Sequence, residues 1–543
     1  MANSLYSIPS KKKSLLFSSF LISSSIIFIF CFFFNPHWET NDDVAMSMVA
    51  HGYGIAAVGM PNLVFSNVIW GYLVRSIPKI YGVLGYSSAS ISVLVIIGTV
   101  LLHALRKLGL AWLLSLPLLL LILVRPVLFP QFTINAGLLT VGAIVCWYFY
   151  EQEGDKRSLV IGCCLAFLGY IIRSQQFLMV LLISAPLLPW SKLLKDSKVI
   201  FFTFALIFAI CTAILIDQYA YQSDDWQAFK KLNPARAYIT DFGFDVLLKQ
   251  RPDILFQNGY TQNDINLLHS WFFVDTELAN PSHLIDMINK LGPTPGQSHL
   301  LTNGLLGIKA FADPVLFSTF IVAILLLFAL PSRKLLLVWI LTLLAVFGLG
   351  LLGRPGILRV YIPLLSMLLI APFLQKGYGA SAHLPFLLRC SLIGIITAGA
   401  FFNLITVLSQ SKVAQVDSEV VHHDLNWFPE ETVVLWGSSF PYESAYPVLW
   451  TEESMKPLKL YGLGTFTLTP FSVAYQESSN GRGMLDRLFS NDGIPILAQP
   501  YLLEYLRIYC LEHFDGRLQE LGEQKFGPLH ISRQRCDKKI KPR

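Results

Sequence analysis

The chain is interrupted again and again by apolar runs long enough to cross a bilayer. Residues 14–34 contain no charged side chain, and further predominantly apolar stretches fall near 88–105, 110–129, 131–150, 158–172, 174–190, 199–216, 313–330, 335–352, 360–375 and 390–408. A helix needs about 20 largely apolar residues to span the hydrocarbon core. The pattern therefore predicts an α-helical polytopic membrane protein with about eleven transmembrane helices. A soluble globule is excluded on the same ground, because 54% of the 543 residues are hydrophobic and only 14% are charged, too few to cover a surface of that size.

Basic residues set the expected orientation. Lys11, Lys12 and Lys13 precede the first run, which leaves the amino terminus in the cytoplasm by the positive-inside rule. The turns then assigned to the same side carry Arg106 and Lys107, Lys156 and Arg157, Lys192, Lys195 and Lys198, Arg333 and Lys334, and Lys376 and Arg389. An odd number of spans puts the carboxy-terminal segment outside. The net charge of +6 is scattered over span ends, so it reports topology and not a nucleic-acid surface. Asn35-Pro36-His37 follows the first run without a small-x-small cleavage pattern, predicting a retained anchor.

Two domains are expected: residues 1–408 as a transmembrane domain with outer loops at 35–87 and 217–312, and 409–543 as a small extracytoplasmic α/β or α+β domain. In the first loop, Asp43 to His51 and Ser66 to Tyr81 suggest short amphipathic helices lying on the membrane. The last segment offers a strand at Thr432–Trp436, a helix from Tyr501 to Phe514 and a closing hairpin from Arg517 to Ser532. Six of the eight cysteines lie in or beside apolar runs, as small buried hydrophobes do. Cys510 and Cys536 fall in the outer domain, where an oxidising compartment permits a disulfide. No zinc, P-loop or dinucleotide-binding spacing occurs, and Gly462-Leu463-Gly464 is too short a glycine signal.

Chemistry is suggested at the exit of the first run, which reads His37-Trp38-Glu39-Thr40-Asn41-Asp42-Asp43. Asn41 or Asp42 can cap the helix that follows, and acids suit a first helical turn. Capping accounts for one acid, not for Glu39, Asp42 and Asp43 together beside a bilayer. A carboxylate there can act as a general base on an acceptor hydroxyl attacking a sugar carbon, or Asp42 and Asp43 can hold a divalent cation on a departing phosphate. His51 and Tyr53 are candidate sugar or phosphate contacts, with interfacial packing as the alternative. Arg125, Arg173, Arg354 and Arg359 sit at the outer ends of apolar runs. Ionisable groups at that depth usually face a cavity and hold a partner, and guanidinium forks match the phosphate or pyrophosphate of an anionic lipid. Snorkelling to headgroups is the alternative.

These features resemble the GT-C class of glycosyltransferases: an amino-terminal span, an outward loop with Asn41-Asp42-Asp43, many further spans and an outer carboxy-terminal domain. The likeness extends to Pro61-Asn62-Leu63-Val64-Phe65-Ser66-Asn67, Gln131-Phe132-Thr133-Ile134-Asn135-Ala136 and Gly353-Arg354-Pro355 with Arg359. It is similar to bacterial multi-pass members of that class. The resemblance implies a GT-C-like fold in the cytoplasmic (inner) membrane of a bacterium, a polyprenyl-phosphate-linked sugar donor and an inverting hexosyl or pentosyl transfer to a glycan, lipid or protein acceptor. It also makes Asp42 or Asp43 the counterpart of the first-loop acid. The turn around Phe129-Pro130-Gln131 lacks the acid that completes a metal site in the oligosaccharyl- and mannosyltransferase branches, which puts metal dependence in doubt. A lipid-linked glycan flippase or other transporter is the alternative function, and nucleic acid is not an expected partner.

Overall fold

The computed structural model describes residues 12–193, 195–291, 297–374, 386–451, 458–526 and 529–538. Lys11 and Lys376, used above for orientation, lie outside the described residues, as do the side chains of Lys12, Lys13 and Arg389. All the apolar runs are helical. The first half of the chain forms α1 (Lys12–Phe34), α2 (Asn41–His51), α3 (Val68–Ser76), α4 (Gly85–Lys107), α5 (Trp112–Leu128), α6 (Phe132–Glu153), α7 (Lys156–Ile172) and α8 (Ser174–Ile183). Long helices follow at Ser197–Ala220, Arg333–Leu351 and Phe386–Leu425. Among the described residues, 6 helices are long and apolar enough to cross a membrane. Shorter apolar helices stand at α5, α8 and Leu358–Phe373. This architecture suits a multi-pass membrane protein.

Helix α6 is the axis of the bundle, with 94% of its most apolar stretch buried, whereas the corresponding stretches of α1 and Ser197–Ala220 are only 17% and 11% buried. Its ends are fixed locally: the Gln131 side chain accepts from the Thr133 and Ile134 amides, and Gly154 turns the chain out in the left-handed region at φ 69°. Small residues let its neighbours approach, as expected where lipid supplies no hydrophobic drive between helices. A Cβ on Gly137 would lie 2.4 Å from the Pro363 side chain.

One element departs from the expected layout. Leu300–Ala312, assigned to an outer loop, forms with Pro314–Ala329 a helix pair that is together long and apolar enough to span but is bent by 85°, as in a broken span or re-entrant loop. Asp313 caps the second half by accepting from the Val315 amide at 2.8 Å, and Pro314 starts the new helix where its missing N–H costs nothing. The first half packs tightly on Arg333–Leu351, since a Cβ on Gly307 would fall 2.3 Å from the Val346 carbonyl. The first half by itself is too short and too polar to register as a span.

The carboxy-terminal segment builds a mixed five-stranded sheet from β1 (Val433–Trp436), β2 (Leu460–Leu463), β3 (Ile494–Leu497), β4 (Arg517–Phe526) and β5 (Leu529–Asp537), in the order β2-β1-β3-β5-β4. Strands β1 and β2 and strands β1 and β3 run parallel, and β5 is antiparallel to both β3 and β4. The expected strand, helix and hairpin are all present, the hairpin continuing past Ser532 to Asp537. This sheet does not stand alone. The Trp436 indole donates to the Ser270 carbonyl at 2.6 Å, the Tyr509 hydroxyl to Asp275 at 2.6 Å and the Asn263 amide to the Tyr505 carbonyl at 3.0 Å. Phe272 packs against both Trp436 and Tyr509. The helices between residues 224 and 291 thus share a core with the sheet, forming one body from segments that are remote in the chain. The expected boundary at 408 falls inside the continuous helix Phe386–Leu425, whose 40 residues reach about 60 Å at 1.5 Å per residue, well beyond a hydrocarbon core.

Cys510, on the helix Pro500–Phe514, and Cys536, on β5, form a disulfide with Cα atoms 6.0 Å apart and a sequence separation of 26. Cys510→Ser is expected to lower the stability of this body by about 3 kcal/mol, the loop-closure contribution of a bridge of this span. Thermal unfolding with and without reductant checks it: wild type should lose the same increment on reduction, and the variant should not respond.

Candidate functional site

The first outer loop is drawn inward. Helix α2 was expected to lie on the membrane, yet Asp43 to Ala50 are all buried. Only α3 keeps the amphipathic pattern, with Trp70 and Val74 inside and Tyr72 exposed. The N-cap Thr40 is extended and its side chain does not cap the helix. Its hydroxyl instead donates to Asp43 Oδ2 at 3.2 Å.

The three acids of the loop separate into three roles. Asp43 is fully enclosed. Its Oδ1 accepts from the Tyr86 hydroxyl at 3.0 Å and from the Phe132 amide at 3.0 Å, tying α2 to the first turns of α4 and α6. Burial holds this carboxyl well above the usual carboxylate range, the Asp42 charge adds to the shift, and the Phe132 amide, Tyr86 and Arg359 oppose it. Asp42 points elsewhere, forming an ion pair with Arg359 at 2.7 Å, and stays partly open, its side chain 26% exposed. Glu39 is engaged by Arg125 through two parallel bonds of 2.8 Å. Arg125 also donates to Gln410 and lies over the Phe129 ring, so Glu39 and Arg125 close on each other as a staple between the loop, α5 and the long helix.

The remaining arginines gather around Asp42. Arg359 opens the helix Leu358–Ile370. Arg173, in extended backbone between α7 and α8, donates to the Phe65 carbonyl at 2.8 Å and sits over the Phe132 ring at 5.4 Å and the Phe65 ring at 5.8 Å. Arg359, Asp42 and Arg354 all act electrostatically on it. Arg354 follows the tight turn at Gly353, lies over Phe242 and approaches Asp241 at 3.5 Å. Asp241 is shared with buried Arg236 at 3.3 Å. Guanidiniums outnumber the carboxylates Asp42 and Asp241 in this group, which leaves positive charge for an anionic ligand.

His51 and Tyr53 take part in packing. His51 Nε2 accepts from the Tyr86 amide at 3.1 Å, and the Tyr53 hydroxyl donates to Ser47 at 3.0 Å while its ring stacks on Trp450. Two contributors carried no sequence signal: Asp241 and Glu443. Half-buried Glu443, on the short helix Tyr442–Ala445, feels the Asn41 backbone and the charge of Asp42 electrostatically. Burial raises its carboxyl, and Asp42 adds to that shift. A lone Glu in a turn-rich stretch looks like any surface residue, and only its approach to α2 distinguishes it.

The residues do not fit a divalent cation held by Asp42 and Asp43. Asp42 turns to Arg359 and Asp43 into its buried network, and the surrounding guanidiniums oppose further positive charge. Among the described residues, the group whose geometry could hold a metal is Asp264, Glu512 and His513. It lies in the body that holds the sheet, where His513 already bonds Asp264 at 2.8 Å. No family model, curated protein or solved structure matches the chain.

Proposed function

We propose that the protein is a membrane glycosyltransferase of GT-C type that moves a sugar from a polyprenyl-phosphate donor to a cell-envelope acceptor. The observation that carries this reading is the Asp42–Arg359 pair, partly open and flanked by Arg173 and Arg354. The donor phosphate rests on the guanidiniums, whose forks match its oxygens. An acceptor hydroxyl attacks the anomeric carbon, the bond from that carbon to the phosphate oxygen breaks, and the electron pair leaves with polyprenyl phosphate. The hydroxyl proton passes to a carboxylate of the site, and configuration inverts. Asp42 is the first-loop acid in contact with the reaction; Asp43 serves by holding α2 on α4 and α6.

All eleven apolar helices cross the membrane in this reading, with the amino terminus in the cytoplasm of a bacterium and the outer body beyond its inner membrane. The Cys510–Cys536 bridge supports an oxidising compartment for that body. A lipid-linked glycan flippase is the second reading, favoured by the bent helix pair Leu300–Ala312 and Pro314–Ala329, because transporters use discontinuous helices near the midplane.

Purified protein in vesicles, given a panel of polyprenyl-phosphate sugars and acceptors, is expected to release polyprenyl phosphate and form a new glycoside. Recovery of every donor intact overturns the proposal, and movement of labelled donor between leaflets without cleavage selects the flippase. Within the enzyme, Arg173→Ala and Arg359→Ala should each raise the donor KM about 10–100-fold, the worth of one charge-assisted bond, with Lys restoring only part. Arg125→Ala should instead lower thermal stability by leaving Glu39 unpaired. Equal KM effects from all three would dissolve the distinction between binding and stapling arginines.

A further inference from the structure

The long helix Phe386–Leu425 runs out of the membrane with one side bare. Its depth is set by α1, since Ser411 donates to the Phe34 carbonyl at the end of that helix at 3.2 Å. Helix α1 has 23 residues, about 34 Å at 1.5 Å per residue, enough to fill a hydrocarbon core of about 30 Å. The part of the long helix past Ser411 therefore stands beyond the hydrocarbon.

That part is fastened by one face only. Ser418 donates to the Ser444 carbonyl at 2.7 Å, His422 Nε2 lies 2.9 Å from the Ala445 carbonyl, and Val421 and Leu425 are buried. On the opposite side Val413, Val416 and Val420 are 61%, 52% and 50% exposed, and His423 is exposed with them. Alternate steps of three and four residues put these side chains in line, at the a and d positions of a heptad. The same line continues back through the membrane along Ser409, Ile405, Phe402, Ala398 and Gly394, all exposed. Lipid covers that lower part. It does not cover the valines, and an apolar row standing in water marks a contact surface.

What fits the row is a copy of itself. The seam is narrow and edged by charge, with Lys412 and Glu419 at g on one flank and Asp417 at e on the other, all exposed, and a seam confined to a and d suits two strands. Two copies in one membrane share an orientation, so their helices run parallel. In a parallel pair a g residue faces the e residue of the next heptad across the seam, which sets Lys412 against Asp417 of the second copy, and the two-fold axis repeats the pair. Glu419 meets no matching acid, because the Asp424 side chain is mostly covered by its own chain, 14% exposed. In lipid, Gly394 and Ala398 are spaced as the small residues that let two helices approach, and a Cβ on Gly394 would meet no atom within 4 Å.

We propose that the face from Gly394 to His423 is the interface of a parallel homodimer, two copies of the long helix packing along it. The oligomeric state of the full-length protein tests this, by light scattering in detergent and by energy transfer between labelled copies in vesicles. Wild type is expected to be a dimer. Val416→Asp and Val420→Asp, each placing like charges across the seam, are expected to raise the dimer dissociation constant at least about tenfold, with thermal unfolding of the single chain little changed because both positions are exposed. Lys412→Asp should weaken association about fivefold, and adding Asp417→Lys should restore it, a rescue particular to this pairing. A wild type that is monomeric in detergent and in vesicles overturns the proposal. So does a dimer indifferent to the valine and charge substitutions, which would place the contact on another face. If the aspartate variants do not fold, the charge pair decides alone: undiminished association in Lys412→Asp, or no recovery in the double variant, overturns the interface equally.

Discussion

Asp42→Asn is expected to reduce sugar transfer by at least about 10²-fold, the usual cost of removing a charge that acts on the transition state. The side chain keeps its volume, so the change falls on charge alone. Arg359 loses its partner at 2.7 Å, so in the proposed reaction the guanidinium no longer holds a donor phosphate in one orientation. Both side chains of the pair are about a quarter exposed, and a pair so placed contributes only about 1 kcal/mol to stability. Thermal unfolding should therefore move by a few degrees at most while turnover collapses. Wild-type turnover in Asp42→Asn would remove this acid from the chemistry.

Its neighbour should behave in the opposite way. Asp43→Ala is expected to destabilise the membrane domain by several kcal/mol, because it orphans the Phe132 amide and the Tyr86 hydroxyl at a site with no water access. Each buried group left unsatisfied costs about 1–3 kcal/mol. Asp43→Asn keeps an oxygen for those donors and should cost less. The sign of its pH dependence follows from the raised carboxyl. The folded state retains a proton that the unfolded chain releases near the ordinary carboxylate value, so this residue's contribution declines as pH rises above that value. Asp43→Asn should flatten that slope. Unfolding of Asp43→Ala at the wild-type temperature, followed by intrinsic fluorescence in detergent, would show that the residue does not hold α2 to α4 and α6.

The contrast between adjacent aspartates marks the limit of reading a site from its motif. In sequence, Asp42 and Asp43 are interchangeable acids in the first turn of a helix. A rotation of about 100° per residue around that helix sends one toward Arg359, 317 residues away in the chain, and the other toward Phe132, 89 residues away. The four arginines at the ends of apolar runs divide in the same manner: Arg125 is taken up by Glu39, whereas Arg359 and Arg354 act on Arg173 electrostatically.

What the sequence determined by itself was local or compositional. Apolar runs near 20 residues dictated a helical membrane protein, because a bilayer leaves no other way to satisfy a spanning backbone. The strand at Thr432–Trp436, the helix from Tyr501 to Phe514 and the closing hairpin were legible from local residue pattern in the same way. Tertiary structure alone decided which charges pair, because an ion pair between distant segments leaves no periodic trace in either one. It also decided that the helices between 224 and 291 share a core with the sheet, that α2 is buried against α4 and α6, and that a helix breaks by 85° before Pro314. Each of these depends on packing between segments remote in sequence, where shape and burial, and not local propensity, select the partner.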